Sequence, residues 1–157
     1  MSADPRLILR EDELDLGLEL ILLAESAVWL EVDAALAVEG PALGRSHWRA
    51  AFLIRRRPGL GVLELAALSG LSKQSASKTL SELERAGLVS RARGDLDGRR
   101  KGTILTEAGA AFEARVSDRL RARVAGAYRV SGGEAVLGAR KVLATLAGPK
   151  LTGRRDG

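Results

Sequence analysis

The chain of 157 residues contains no cysteine, a single histidine, one methionine and four prolines. Without cysteine there is no disulfide frame, no thiolate metal site and no thiol-based redox sensing. The lone His47 has no second imidazole to share a metal and no evident nucleophile to activate, so neither a catalytic nor a metal site is expected. The glycines sit at the expected helix ends and in one loop, and no phosphate-cradling glycine motif occurs, so no nucleotide cofactor is expected either. No apolar run reaches the roughly 18 residues needed to span a bilayer. The first residues lack a basic start followed by an uninterrupted apolar core, which argues against a signal peptide. A cytoplasmic protein with no membrane partner is the expectation.

What is present is a foldable composition with an uneven charge. Hydrophobic residues make up 46% of the chain, and the length suits one domain with one sizeable core. The formal charge of +5 divides into ten acids against two bases over residues 1–40, and twenty-three bases against ten acids beyond them. That split suggests an acidic part turned away from a polyanion and a basic part turned toward one. Ordinary solubility charge is the alternative, but it needs no such segregation.

Arg10 to Val38 contains no proline and reads as one long helix. Leu14, Leu18, Ile21, Val28, Trp29, Val32 and Leu36 fall on one stripe, and Leu16, Leu20, Leu23, Ala27, Leu30 and Ala34 on a second, roughly opposite. Two apolar stripes imply burial on both sides, against the chain's own body and against a second copy. A helix central to a single-chain bundle would also fit. Glu25 lies within the first stripe with no evident partner. "GPALG" ends this helix, and "RSHWRAAFLIRRR" forms another that stops at Pro58-Gly59. Val62–Gly70 is a short helix with Leu63, Ala66 and Ala67 at helical spacing. Ser72 suits the N-cap of the next, Lys73 to Ala86, which ends at Gly87. "LVSRAR" and "TILT" are short β-prone segments. A helix from Thr106 to about Arg129 and a last one from Glu134 to Ala147 are separated by Ser131–Gly133.

Two short helices joined by a three-residue turn form a helix-turn-helix pattern. In the second, Ala76, Thr79, Leu80 and Leu83 point one way as a packing face. Gln74, Lys78, Ser81 and Arg85 cluster opposite, flanked by Ser75 and Ser77, with Glu82 and Glu84 to the sides. A surface of amides, hydroxyls and cations without a carboxylate suits the major groove of double-stranded DNA. The stretch "GDLDGRRKGTILTEAG" follows between the β-prone segments, where a winged helix-turn-helix carries its wing. Its tip holds Arg99, Arg100 and Lys101 away from the body, as an arginine reaching into a minor groove requires. Asp97 is wrong for direct DNA contact and could brace Arg99 through a carboxylate–guanidinium pair.

Leu65 to Gly109 resembles the MarR family of bacterial transcriptional regulators. The resemblance rests on Leu83, Gly87-Leu88-Val89, Arg91, Asp97-Gly98-Arg99, and Leu105-Thr106 through Gly109, in that order behind a serine-rich second helix. It implies a mainly α fold with a small β-hairpin wing, a winged helix-turn-helix carrying long N- and C-terminal dimerisation helices. Residues 1–40 and 107–148 would be those helices, 41–106 the DNA-binding part, and 149–157 a flexible tail. It further implies a homodimer on a pseudo-palindromic operator, usually a repressor, frequently released by a small-molecule effector. Family DNA contacts carry over to Gln74, Ser75, Ser77 and Lys78, and the wing contact to Arg99. Gly98 stands where many relatives have a larger residue, and a chain without cysteine is not one of the family's thiol-based peroxide sensors. The competing reading is a dimeric adaptor that keeps the fold but binds no operator. Trp29, Trp48 and His47 are candidates for an effector pocket, against the ordinary use of both tryptophans in core packing and of His47 at a domain junction.

Overall fold

Helix α2 (Arg45–Arg56) is the element around which the others are arranged. Its Trp48, Ala50, Ala51 and Ile54 are buried, while Arg56 is exposed and Arg55 reaches the buried Glu113. We describe residues 9–91 and 102–149 in a computed structural model. Their order is α1 (Glu11–Leu36), α2, α3 (Val62–Ser69), α4 (Lys73–Arg85), β1 (Val89–Arg91), β2 (Thr103–Leu105) and α5 (Glu107–Ala147). One core joins Val32 and Leu36 of α1, α2, Leu65 of α3, Leu80 and Leu83 of α4, and Phe112, Val116 and Leu120 of α5.

The two strands pair antiparallel in the register Val89↔Leu105, Ser90↔Ile104 and Arg91↔Thr103. Leu60 adds a bridge to Thr103 on the outer side, through Gly59 N–H to the Thr103 carbonyl (2.9 Å) and Thr103 N–H to the Leu60 carbonyl (3.2 Å). The base of the hairpin is thereby tied to the turn after α2. The hairpin segment from 92 to 101 lies outside the described residues, and Asp97, Arg99, Arg100 and Lys101 with it.

Most helix ends fall within a residue or two of their expected positions. The two helices expected after Thr106 are both present within the span α5 and meet at Gly132, where the backbone leaves helical geometry (φ 80°, ψ 164°). That left-handed φ is open to glycine and strained for other residues, so the break sits where the sequence allows it. At α3 the helical spacing of Leu63, Ala66 and Ala67 does not mark the buried face. Leu63 is 67% exposed and Ala67 is exposed, whereas Leu65 and Ser69 are buried. An eight-residue helix that is apolar almost all round offers no periodicity to choose a face, and its neighbours decide.

Helix α1 is buried only toward its C-terminal end, at Val32, Ala35 and Leu36. Leu14, Leu16, Leu18, Leu20, Leu22 and Leu23 are each at least half exposed, so both stripes run out over solvent in the single chain. A helix central to a single-chain bundle does not match this. The acids of α1 have a use that composition did not reveal. Glu31 meets Arg119 (3.4 Å) and Arg123 (3.1 Å) of α5, and Asp33 pairs with Arg45. Just past the helix, Glu39 pairs with Arg115 at 2.7 Å. Hydrogen bonds from Arg115 and Arg45 hold the Glu39 and Asp33 carboxyls below the usual carboxylate range. Part of the charge asymmetry along the sequence is therefore cancelled within the fold.

Candidate nucleic-acid interface

Helix α4 begins at Ser72, whose Oγ accepts the Ser75 N–H (3.1 Å), the N-cap expected of it. It ends in a left-handed Gly87 (φ 71°): Leu88 N–H donates to the Leu83 carbonyl (2.9 Å) and Gly87 N–H to the Glu84 carbonyl (3.0 Å). This Schellman arrangement brings Leu83 and Leu88, both buried, to either side of the turn. It explains why leucine, glycine and leucine occur at those positions.

Between these ends, Ala76, Thr79, Leu80 and Leu83 are buried against the core, the packing face read from the sequence. Gln74, Ser75, Lys78 and Arg85 are exposed; Ser77 and Ser81 are half-buried. The Ser75 hydroxyl accepts from the Ser72 hydroxyl (2.9 Å), and Ser81 Oγ accepts from Arg91 Nη2 (3.4 Å). Both flanking carboxylates have partners. Glu84 meets Arg91 Nε at 3.4 Å across the α4–β1 turn, and Glu82 Oε2 lies 2.9 Å from His47 Nε2 of α2. Arg91 acts here as a brace between strand and helix. The sequence marked it only as a motif position.

His47 does not join the two tryptophans. It is 8% exposed and turned toward α4; Gly44 N–H donates to its Nδ1 (2.9 Å). Trp48, the next residue, faces the other way. Its ring meets Trp29 edge-on at 6.0 Å and Phe52 at 5.7 Å, and its Nε1 donates to Ser117 Oγ (3.0 Å). Trp29 Nε1 in turn donates to Glu25 Oε1 (3.3 Å), which supplies the partner that Glu25 lacked in the sequence.

Val28, Trp48 and Phe52 separate two clefts. One, of about 420 Å³, is lined also by Glu25, Trp29, Arg49, Leu53 and Leu68. The other, of about 430 Å³, is closed by Ser117, Leu120, Arg121, Val124, Ala125 and Tyr128 of α5. His47 lines neither. Beneath the second cleft Glu113, 1% exposed, is held by Arg55 Nε (2.9 Å), Arg121 Nη2 (3.1 Å) and the Ser117 hydroxyl. Sequence reading missed this cluster. A usable signal was there: Glu113, Ser117 and Arg121 recur every fourth residue beside the apolar Phe112, Val116 and Leu120. Among the described residues no group of three or more His, Cys, Asp or Glu could hold a metal ion, and no helix is long and apolar enough to cross a membrane.

A helix pair of this geometry, followed by a hairpin, has close relatives. Residues 43–100 match the MarR family profile. PetP, an HTH-type transcriptional regulator of Rhodobacter capsulatus, is 36% identical over 145 residues, covering 92% of this chain and 86% of PetP. The chain belongs to the MarR family. It is a winged helix-turn-helix transcriptional regulator, not an enzyme. NadR, solved in complex with 4-hydroxyphenylacetate, shares the fold at a TM-score of 0.71 and 25% identity, over 94% of this MarR chain and 99% of NadR. CouR from Rhodococcus jostii RHA1, solved bound to p-coumaroyl-CoA, does so at a TM-score of 0.67 and 27% identity, over 86% of this chain and 93% of CouR.

Proposed function

We propose that two copies of this regulator bind one pseudo-palindromic operator as a homodimer and repress transcription from it. The helices outside residues 41–106 join the copies, and the winged part reads DNA. The observation that carries the DNA-reading part is the exposed face of α4. Gln74, Lys78 and Arg85 project there, while of the carboxylates beside them Glu84 meets Arg91 and Glu82 meets His47, with a looser 3.9 Å contact to Lys78. Gln74 and the serines Ser75, Ser77 and Ser81 read base edges or backbone, and Lys78 and Arg85 meet guanine or phosphate. Arg99 and Arg100, with Asp97 as a brace, enter the adjoining minor groove. Pairing of copies is supported by the leucines that α1 leaves in solvent and by Val130, Leu137, Val142, Leu143 and Leu146, exposed late in α5.

Binding to duplex DNA at graded salt tests this. Lys78→Ala is expected to weaken binding across all sequences and to lower the magnitude of the salt slope by about 1. Unchanged affinity and slope would remove α4 from the interface.

We further propose that the cleft between Trp48, Phe52, Arg121 and Tyr128 takes a small aromatic acid that releases the DNA. Its wall is apolar and aromatic, and the Arg121 guanidinium at its edge, held by Glu113 and Asp118, would turn to meet a carboxylate; NadR was solved with 4-hydroxyphenylacetate. Titration with that acid is expected to change tryptophan fluorescence and weaken DNA binding together. A panel of aromatic acids that moves neither would count against an effector in this cleft.

A further inference from the structure

Glu82 stands one helical turn after Lys78 and divides its carboxylate between that ammonium and the His47 imidazole. Its Oε1 lies 3.9 Å from Lys78 Nζ, and its Oε2 lies 2.9 Å from His47 Nε2. The Lys78 side chain is 77% exposed, that of Glu82 34%, and that of His47 10%. The His47 tautomer follows from its other contact. Nδ1 accepts the Gly44 N–H at 2.9 Å, so the proton of the neutral ring sits on Nε2 and is donated to Glu82. A lysine four residues before a glutamate is the weaker order for a helical ion pair, and at this exposure water screens it. The shielded imidazole bond is the stronger of the two contacts.

We propose that His47 is a positioning residue for DNA binding: its Nε2–H anchors Glu82 to α2 and limits that carboxylate to a loose 3.9 Å contact with Lys78. The inference rests on the assignment of α4 to the DNA interface. With the anchor in place the loose contact leaves the exposed ammonium able to turn to a phosphate. Without it, Glu82 closes onto Lys78 or stands toward the phosphates, and either outcome subtracts about one effective cation from the contact.

Two substitutions separate the two ring nitrogens. His47→Asn keeps an acceptor for the Gly44 N–H but does not reach Glu82, whereas His47→Gln keeps a donor toward Glu82. Binding of each full-length variant to a duplex pool of random sequence is measured over graded salt. His47→Asn is expected to bind about fivefold more weakly, with a salt slope smaller by about 1, and His47→Gln to stay within about twofold of the parent. Glu82→Gln alone is expected to bind at least as tightly as the parent, and in that background His47→Asn should have no further effect. Equal losses for the two histidine variants, a loss that persists beside Glu82→Gln, or weaker binding by Glu82→Gln alone would each overturn the role. Lys78→Ala that binds like the parent would instead show that the assignment of α4 has failed.

Discussion

Replacing Gly109 by alanine is expected to destabilise the chain by about 3 kcal/mol, although alanine is the better helix former by about 1 kcal/mol. Gly109 sits in the first turn of α5, where Thr106 is the cap: its Oγ1 accepts the Gly109 N–H (3.1 Å) and donates to the Gly87 carbonyl (2.6 Å). Thr106 N–H donates to the Leu88 carbonyl at 3.1 Å, so the start of α5 is laced to the end of α4. A Cβ at position 109 would lie 1.8 Å from the Leu88 oxygen and 2.8 Å from its carbonyl carbon. Backbone cannot turn aside as a flexible side chain can. The helix has to move out, and the Thr106 bonds to Gly87 and Leu88 stretch with it. Urea unfolding measures the loss. A variant as stable as the parent would mean that α5 does not approach Leu88 this closely. β2 ends at Leu105, directly before the cap, so the same displacement should carry the wing base with it and weaken DNA binding in the folded fraction.

What could be read from the sequence was what depends on neighbours within a turn or two. Ser72 as a cap, Gly87 as a stop and the inward set Ala76, Thr79, Leu80 and Leu83 all follow from local rules, and all appear in the fold. Glu25 with Trp29 was within the same reach, being four residues apart on one helix. The remainder depends on contacts distant in sequence. His47 and Glu82 are 35 residues apart, and Arg123 and Glu31 are 92 apart. No periodicity announces either pair. Leu60 beside Thr103 is a backbone pairing that leaves no mark on side-chain pattern. The charge split between the first forty residues and the rest was legible as a difference, but Glu31, Asp33 and Glu39 spend it on arginines of their own chain. DNA binding is therefore supported by the local surface of α4 more than by net charge.

The buried Glu113 gives the second large effect, and its sign depends on which partner is removed. Arg55→Met combined with Arg121→Met is expected to cost about 3–5 kcal/mol, because a carboxylate in the core is left with little more than the Ser117 hydroxyl. Glu113→Leu alone should cost far less. The Arg55 and Arg121 side chains are 38% and 45% exposed, so once released they regain water, while the leucine fills apolar surroundings beside Phe112 and Val116. The triple variant should then recover most of the stability lost by the double. Urea midpoints of the three variants decide this. A triple variant no more stable than the double would show that the arginines act through packing, not through the charge they neutralise. The same network reaches the cleft: Glu113 accepts from Ser117, and Ser117 accepts from Trp48. Arg121 lines the cleft while holding Glu113, so a carboxylate bound there as proposed would compete with Glu113 for one guanidinium. Arg55 extends that competition to α2, the helix whose opposite side carries His47 against α4. On the proposed use of the cleft, Glu113→Leu should therefore leave Arg121 only the exposed Asp118 as a partner, bind 4-hydroxyphenylacetate more tightly than the parent, and still fold.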